Sequence, residues 1–138
     1  MPSFAELHQR SRQRRVLVVD DDPFLLELIM TRLVIAEYEV RGARDGREAL
    51  TRMVEFKPDA MVLDINMPVL DGFGVLASMK AQGLTDKTLT MVLTARNNAE
   101  DVSKAIQLGA KDYLSKPFKD DQLLQRVGRL FARAARAA

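Results

Sequence analysis

Residues 60–68 read A-M-V-L-D-I-N-M-P, and this stretch constrains the fold more than any other. Four apolar residues, Ala60 to Leu63, run directly into Asp64. The run is too short for a helical period, and it is bounded by Lys57-Pro58-Asp59 and by Asn66-Met67-Pro68. That is the pattern of a strand buried on both faces, as in a parallel sheet covered by helices. Asp64 then lies at the carboxyl end of a central strand, the edge at which open α/β sheets bind ligands. A carboxylate at the mouth of a buried strand calls for a chemical explanation.

The remaining chain alternates in the same way. Val16-Leu17-Val18-Val19 is a second buried-strand run and ends in Asp20-Asp21-Asp22. Asp22 is a good N-cap and Pro23 fits the first helical position. Leu25, Leu28, Ile29, Leu33 and Ala36 then mark the inward face of a helix. Residues 38–43 form a short, more polar strand at the sheet edge. Asp45-Gly46 opens a helix carrying Ala49, Leu50, Met53 and Val54 inward. After the central strand, Asp71-Gly72 opens a helix with Phe73, Leu76 and Ala77 inward, and Gly83 ends it. Residues 89–93 make an apolar strand ending at Thr94, and a polar loop over 95–98 leads to a helix with Val102, Ala105 and Ile106 on one face. Gly109 stops that helix. Residues 112–115 form a last strand, ending at Lys116-Pro117. A final helix carries Leu123, Val127, Leu130, Phe131 and Ala134 inward. Five strands alternating with five helices imply a doubly wound parallel α/β sheet with right-handed crossovers. The methionines Met53, Met61, Met67, Met79 and Met91 read as core filler.

Composition narrows the function. The 138 residues suit one domain, with 47% apolar and 29% charged residues. No apolar stretch approaches the roughly 20 residues of a membrane span, and residues 1–15 hold no signal-peptide core. The chain has no cysteine, which excludes thiol chemistry and suits a reducing cytoplasm. The lone His8 excludes a histidine metal cage. Of the net charge of +2, residues 1–15 carry +3, residues 122–138 carry +4, and the body carries −5. The basic pI near 9.1 thus belongs to the ends.

Four strand ends on one sheet edge carry Asp20 and Asp21, Asp64, Thr94 and Lys116. Three carboxylates in one cleft repel, and uncompensated they raise a pKa. A hard divalent cation relieves this, and Mg2+ suits an incomplete set of oxygen ligands plus water. Aspartate, Mg2+, ammonium and hydroxyl together meet the needs of phosphoryl transfer, with Asp64 as acceptor.

Those residues lie in four motifs: V-L-V-V-D-D-D-P from Val16, V-L-D-I-N-M-P-V-L-D-G from Val62, L-T-A from Leu93, and G-A-K-D-Y-L-S-K-P-F from Gly109. In this order and spacing, over about residues 15–130, the sequence closely resembles the receiver domain of two-component response regulators, of the stand-alone chemotaxis kind. The resemblance implies a flavodoxin-like fold with strand order 2-1-3-4-5, for which a chemotaxis member of this family is itself the standard example. It implies that Asp64 is phosphorylated, and that Asp20, Asp21 and Asp64 hold Mg2+, with Asp21 a direct ligand. The backbone carbonyl of Asn66 is implied as a further ligand. Thr94 and Lys116 would each pair with a phosphoryl oxygen, and Tyr113 would turn inward as Thr94 moves. Asn66 and Arg96 would tune dephosphorylation, and Lys116-Pro117 would be a cis peptide. No core position is missing.

The expected domains are a basic N-terminal arm (1–14), a receiver domain (15–131) and an Ala/Arg-rich helix end (132–138), with no output domain. The expected function is a cytoplasmic single-domain switch, not an enzyme beyond its own phosphorylation and dephosphorylation. Its expected partners are a histidine kinase or histidine phosphotransfer protein and a downstream protein target, without membrane insertion. Two other readings are an aspartyl-phosphate phosphatase and a phosphorylation-independent interaction module. Against the first, Asp20-Asp21-Asp22-Pro23 lacks the D-x-D nucleophile motif of those enzymes. By resemblance to dimerising relatives, Asp112 and Arg126 could support a weak homodimer, although Gln122 stands where those relatives carry an acid. Arg126, Arg129, Arg133 and Arg136 recur along one helical stripe. The plainer reading is a solvated helix end; the alternative is an anionic partner such as a nucleotide or nucleic acid.

Overall fold

The computed structural model describes residues 13–95 and 98–137, with side chains of the last helix described through Arg133. Residues 1–12, Arg96 and the Arg136 side chain lie outside the described residues, and with them most of the basic arm and one dephosphorylation-tuning position. The expected alternation is present. The elements are β1 (Arg15–Val19), α1 (Pro23–Ile35), β2 (Glu39–Ala43), α2 (Gly46–Phe56), β3 (Ala60–Asp64), α3 (Gly72–Ala81), β4 (Leu89–Thr94), α4 (Ala99–Gln107), β5 (Asp112–Ser115) and α5 (Asp120–Ala137). The strands form one sheet in the order β2-β1-β3-β4-β5, and every pairing is parallel.

The central strand is buried at all five positions. Its side chains alternate between two cores, as strand geometry requires. Val16, Val18 and Val62 face α1 and α5, where Ile29, Leu33, Leu123 and Val127 meet them. Leu17, Val19, Met61 and Leu63 face the other layer, against Met53, Val75, Leu76 and Met79. The five methionines read as filler are all buried.

The helix starts follow the sequence closely. The Asp22 side chain accepts from the N–H groups of Phe24 and Leu25, with Pro23 in the first turn. Asp45 and Asp71 cap α2 and α3 by accepting from the N–H groups of Glu48 and Gly74. The helix faces follow it less well. In α1 the buried residues are Leu26, Ile29 and Leu33, while Leu28 is exposed and Ala36 is the C-cap. In α2, Val54 is exposed and Phe56 is buried instead. In α3, Val75 and Met79 join Leu76 inside, Ala77 faces out, and Phe73 lies at the margin under the Lys104 ammonium. In α4, Ala105 is buried and Ile106 is exposed. The α1 and α3 segments are apolar on more than one side, so periodicity alone cannot select their inward face. Helices α2 and α4 are amphipathic, and there Val54 and Ile106 each sit one position from a residue of the buried stripe, Met53 and Ala105.

One close approach fixes the loop after the central strand. A Cβ added to Gly72 would stand 2.7 Å from the Asp64 carbonyl oxygen and 2.8 Å from the Ile65 Cα. The Gly72 N–H donates to the Ile65 carbonyl at 2.8 Å. The first turn of α3 therefore rests directly on the backbone that carries Asp64. Gly72→Ala is expected to destabilise the domain by about 1–3 kcal/mol through overpacking. Gly128→Ala, in α5 with open space around it, is expected to stabilise it by about 0.5–1 kcal/mol. Urea denaturation of the two variants should show midpoints moving in opposite directions.

Candidate functional site

The carboxyl edge of the sheet gathers the expected side chains. Asp20 leaves β1 with its N–H donating to the Ala43 carbonyl at 3.1 Å, and it is fully buried. Its Oδ1 accepts from the Asp22 N–H at 2.9 Å, so the residue that caps α1 also orients this carboxylate. Asp21 is exposed beside it. Asp64, at the end of β3, is 4% exposed. One carboxylate oxygen from each of Asp20, Asp21 and Asp64 lies within 4.8 Å of the others.

Lys116 reaches this cluster from the far side. Its N–H donates to the Thr94 carbonyl at 2.8 Å, which ties the residue after β5 to the end of β4. The Lys116-Pro117 bond is cis, as expected. The Lys116 Nζ stands 2.9 Å from Asp20 Oδ2 and 3.2 Å from Asp64 Oδ1. Thr94 is buried one position past Leu93, which pairs with Asp64 across the sheet. Asn66 is exposed just beyond the buried Ile65. The structure thus brings Asp20, Asp21, Asp64 and Lys116 into one cluster, with Thr94 and Asn66 on the adjoining strand end and loop.

The Asn66 loop carries a feature that sequence reading missed. Val69 has φ of 70° and the Leu70 N–H donates to the Pro68 carbonyl at 2.8 Å, a three-residue γ-turn. A β-branched residue in that region is strained. Pro68 marks a break in the strand there, but a proline restricts only itself and the residue before it, so nothing in the sequence marks the positive φ of Val69.

The response regulator receiver domain pattern matches residues 16–128. The chain belongs to this family. Receiver domains of known structure superpose on it closely. The chemotaxis protein CheY4 of Vibrio cholerae is 33% identical with a TM-score of 0.81, the match covering 86% of this chain and 99% of that one. The receiver domain of the Francisella response regulator 1452 is 34% identical with a TM-score of 0.81, covering 88% and 98%. Among curated relatives, the transcriptional regulatory protein PrrA of Mycobacterium tuberculosis is 44% identical over 124 residues, covering 90% of this chain and 52% of PrrA. The response regulator MprA of Mycolicibacterium vanbaalenii is 42% identical over 119 residues, covering 86% and 51%. The receiver domain spans about half the length of these curated relatives. No helix among its described residues is long and apolar enough to cross a membrane.

The other predicted positions lie around β5. Tyr113 is 38% exposed and points away from the core. Asp112, its neighbour on the opposite face, is buried. Arg126 Nη1 donates to Asp112 Oδ1 at 3.0 Å and to the Tyr113 carbonyl at 2.9 Å. Arg129 Nη2 stands 3.4 Å from Asp112 Oδ2, and Arg133 donates to the Lys111 carbonyl at 3.2 Å. Asp112 and Arg126 therefore pair within one chain. Arg126, Arg129 and Arg133, the described members of the stripe, each hold a group of β5 or of Lys111 just before it. Sequence alone places β5 in the sheet but does not show that helix side chains cover its outer carbonyls.

The electrostatics of the receiver cluster fit a cation. Burial pushes the Asp64 carboxyl up to about 6, and the charges of Asp20 and Asp21 add to this, while Lys116 opposes it. Burial alone would depress the Lys116 ammonium, but its hydrogen bond to Asp20 and the charges of Asp64 and Asp20 carry it above its usual value. One ammonium is thus too little positive charge for three carboxylates. This donor set, all hard oxygens around excess negative charge, is the kind that Mg2+ takes.

A raised carboxyl pKa makes the folded state bind a proton more tightly than the unfolded chain does. The metal-free domain should then lose stability as pH rises from about 4 to about 6, and stay less stable above that. The Lys116 shift has the opposite sense, but it acts only where that ammonium titrates, far above neutrality. Asp64→Asn is expected to stabilise the metal-free protein by about 1–3 kcal/mol at pH 7.5, with the gain vanishing near pH 4. Urea titrations in EDTA across that range check this, and an Asn variant less stable than the parent at pH 7.5 would refute the assignment.

Proposed function

We propose that this receiver domain is a phosphorylation-controlled switch, with Asp64 as the phosphoacceptor and a histidine kinase or histidine phosphotransfer protein as the donor. The observation that carries the reading is the Lys116 ammonium shared between Asp20 and Asp64 beside a third carboxylate. An Asp64 oxygen attacks the phosphorus of a phosphohistidine. The new P–O bond forms as the P–N bond breaks, and the imidazole leaves as a neutral base after taking a proton. Asp20, Asp21 and the Asn66 backbone carbonyl, with Asp64, would hold Mg2+, which when bound neutralises phosphoryl oxygen charge.

Lys116 shifts its partnership from Asp64 to a phosphoryl oxygen, which remains within reach because Asp20 keeps the ammonium in place. Thr94 offers its hydroxyl to another oxygen, and Tyr113 follows it inward from its exposed position. Asn66 and Arg96 flank the phosphoryl group and set how fast water removes it. The domain catalyses only these transfers on itself. The receiver body spans residues 15–131, following a basic arm (1–14) and preceding the helix end at 132–138, and it works in the cytoplasm.

The output is a changed protein-binding surface. Relatives described as transcriptional regulators support a DNA-binding effector as the downstream target, whether on a partner or elsewhere in a longer chain. A weak homodimer through Asp112 and Arg126 would have to open a pair that is already closed within the chain, for contacts worth about 0–1 kcal/mol each when exposed. Arg126, Arg129 and Arg133 are engaged with β5, which favours the structural reading of the stripe over a nucleotide or nucleic-acid site.

Acetyl phosphate or a phosphorylated kinase, with Mg2+, should label Asp64 alone. The label should be base-labile, and Asp64→Asn should abolish it. A base-stable label on Thr94 or a serine would refute the mechanism.

Lys116→Arg should retain part of the labelling yet lose the conformational response. A planar guanidinium cannot place a compact charge between Asp20 and Asp64. Comparing the NMR shifts of β5 with and without a beryllofluoride phosphoryl mimic tests this, and a parental response in the variant would show a looser geometry.

A further inference from the structure

Helix α1 is apolar almost all round: of its thirteen residues, only Glu27, Thr31 and Arg32 have polar side chains. A helix of that composition is normally covered on every side. Leu26, Ile29 and Leu33 do face the core, but Val34 is 57% and Ile35 69% exposed. Beside them an open groove of about 470 Å³ runs from Pro23 to Ile35, with Leu26 and Met30 in its lining. Its lining is mostly apolar, with Glu27 and Arg44 the only charged side chains among the described residues that line it.

We propose that this groove is the docking site for the chain's own residues 1–12. The described chain begins at the foot of the groove. Gln13 Nε2 donates to the Glu37 carbonyl at 3.1 Å, and the Arg14 carbonyl accepts from the Glu39 N–H at 2.9 Å. Both anchors lie a few residues past Ile35, so residues 1–12 start beside the exposed end of α1. A segment tethered this closely has an effective concentration of about millimolar at the groove. A separate helix or a second copy must exceed that to displace it.

Length and pattern agree with this occupant. A helix capped at Ser3 would hold the nine residues 4–12 and span about 13–14 Å, against about 20 Å for the thirteen of α1, enough to cover the greater part of the groove. Ser3-Phe4-Ala5-Glu6 has the capping-box pattern that opens a helix. At helical spacing Phe4 and Leu7 would fall on one side and Glu6 and Arg10 on the other. The apolar side of that helix matches the Leu26, Met30, Val34 and Ile35 side of α1. This docking is independent of the phosphoacceptor reading.

The chain has no cysteine, so Gln9→Cys gives a single nitroxide site on the polar side of the segment. In isotopically labelled, tagged protein, the methyl signals of Met30, Val34 and Ile35 should be lost to the spin label. They should return when Phe4→Ser and Leu7→Ser are added, changes outside the folded body that leave Asp64 labelling intact. Methyl signals untouched by the tag would overturn the proposal, and so would signal loss that persists in the double serine variant. A mixture of tagged, unlabelled chain with untagged, labelled chain should show no loss. Loss in that mixture would assign the groove to a second copy and overturn docking of the chain's own segment.

Discussion

The site depends on one ammonium placed between two buried carboxylates. Lys116 Nζ lies 2.9 Å from Asp20 and 3.2 Å from Asp64. Removing such groups from water is expensive, and the attraction between them repays the cost only when every partner is in place. Here it is repaid incompletely: Asp64 is still pushed up to about 6. The cluster therefore holds excess negative charge on a rigid frame. That is a useful resting state for a site whose work is to gather positive charge around an incoming phosphoryl group.

The frame follows from parallel topology. In the order β2-β1-β3-β4-β5, the strands that end in Asp20 and Asp64 are neighbours, and β4 stands between Asp64 and the strand that leads to Lys116. No local sequence relation joins Asp20 to Lys116, which are 96 residues apart. Buried strands that all run the same way bring them together. Small residues then refine the placement: Gly72 lets α3 sit on the Asp64 backbone, and Asp22 both caps α1 and donates its N–H to Asp20.

The strands and the cluster were legible in the sequence because their signals are local. Ala60 to Leu63 running into Asp64 can be little other than a buried strand, and the caps Asp22, Asp45 and Asp71 mark where helices begin. Helix faces were not legible where a helix is apolar on several sides. Leu28, in the nearly all-apolar α1, has the side chain of a core residue and sits in solvent, because which side of such a helix meets the sheet is decided by the crossovers and not by the helix itself. Val54 is exposed next to the buried stripe of the amphipathic α2. Val69 was illegible for another reason. Its positive φ is imposed by the turn that closes the Asp64 loop, against the preference of its own side chain.

The arginines of α5 show the same limit from the charge side. By sequence they form a basic stripe, and together with the arginines of residues 1–15 they account for the high pI. In the structure β5 is a four-residue edge strand with a neighbour on one side only. An open edge leaves carbonyls unpaired and invites strand addition. Arg126 and Arg133 donate to the carbonyls of Tyr113 and Lys111, and Arg126 and Arg129 hold the buried Asp112. The strand that delivers Lys116 is thus held on its inner side by β4 and on its outer side by guanidinium groups. Charge that looks free for a nucleic acid is largely spent on keeping one short strand, and the ammonium at its end, in register.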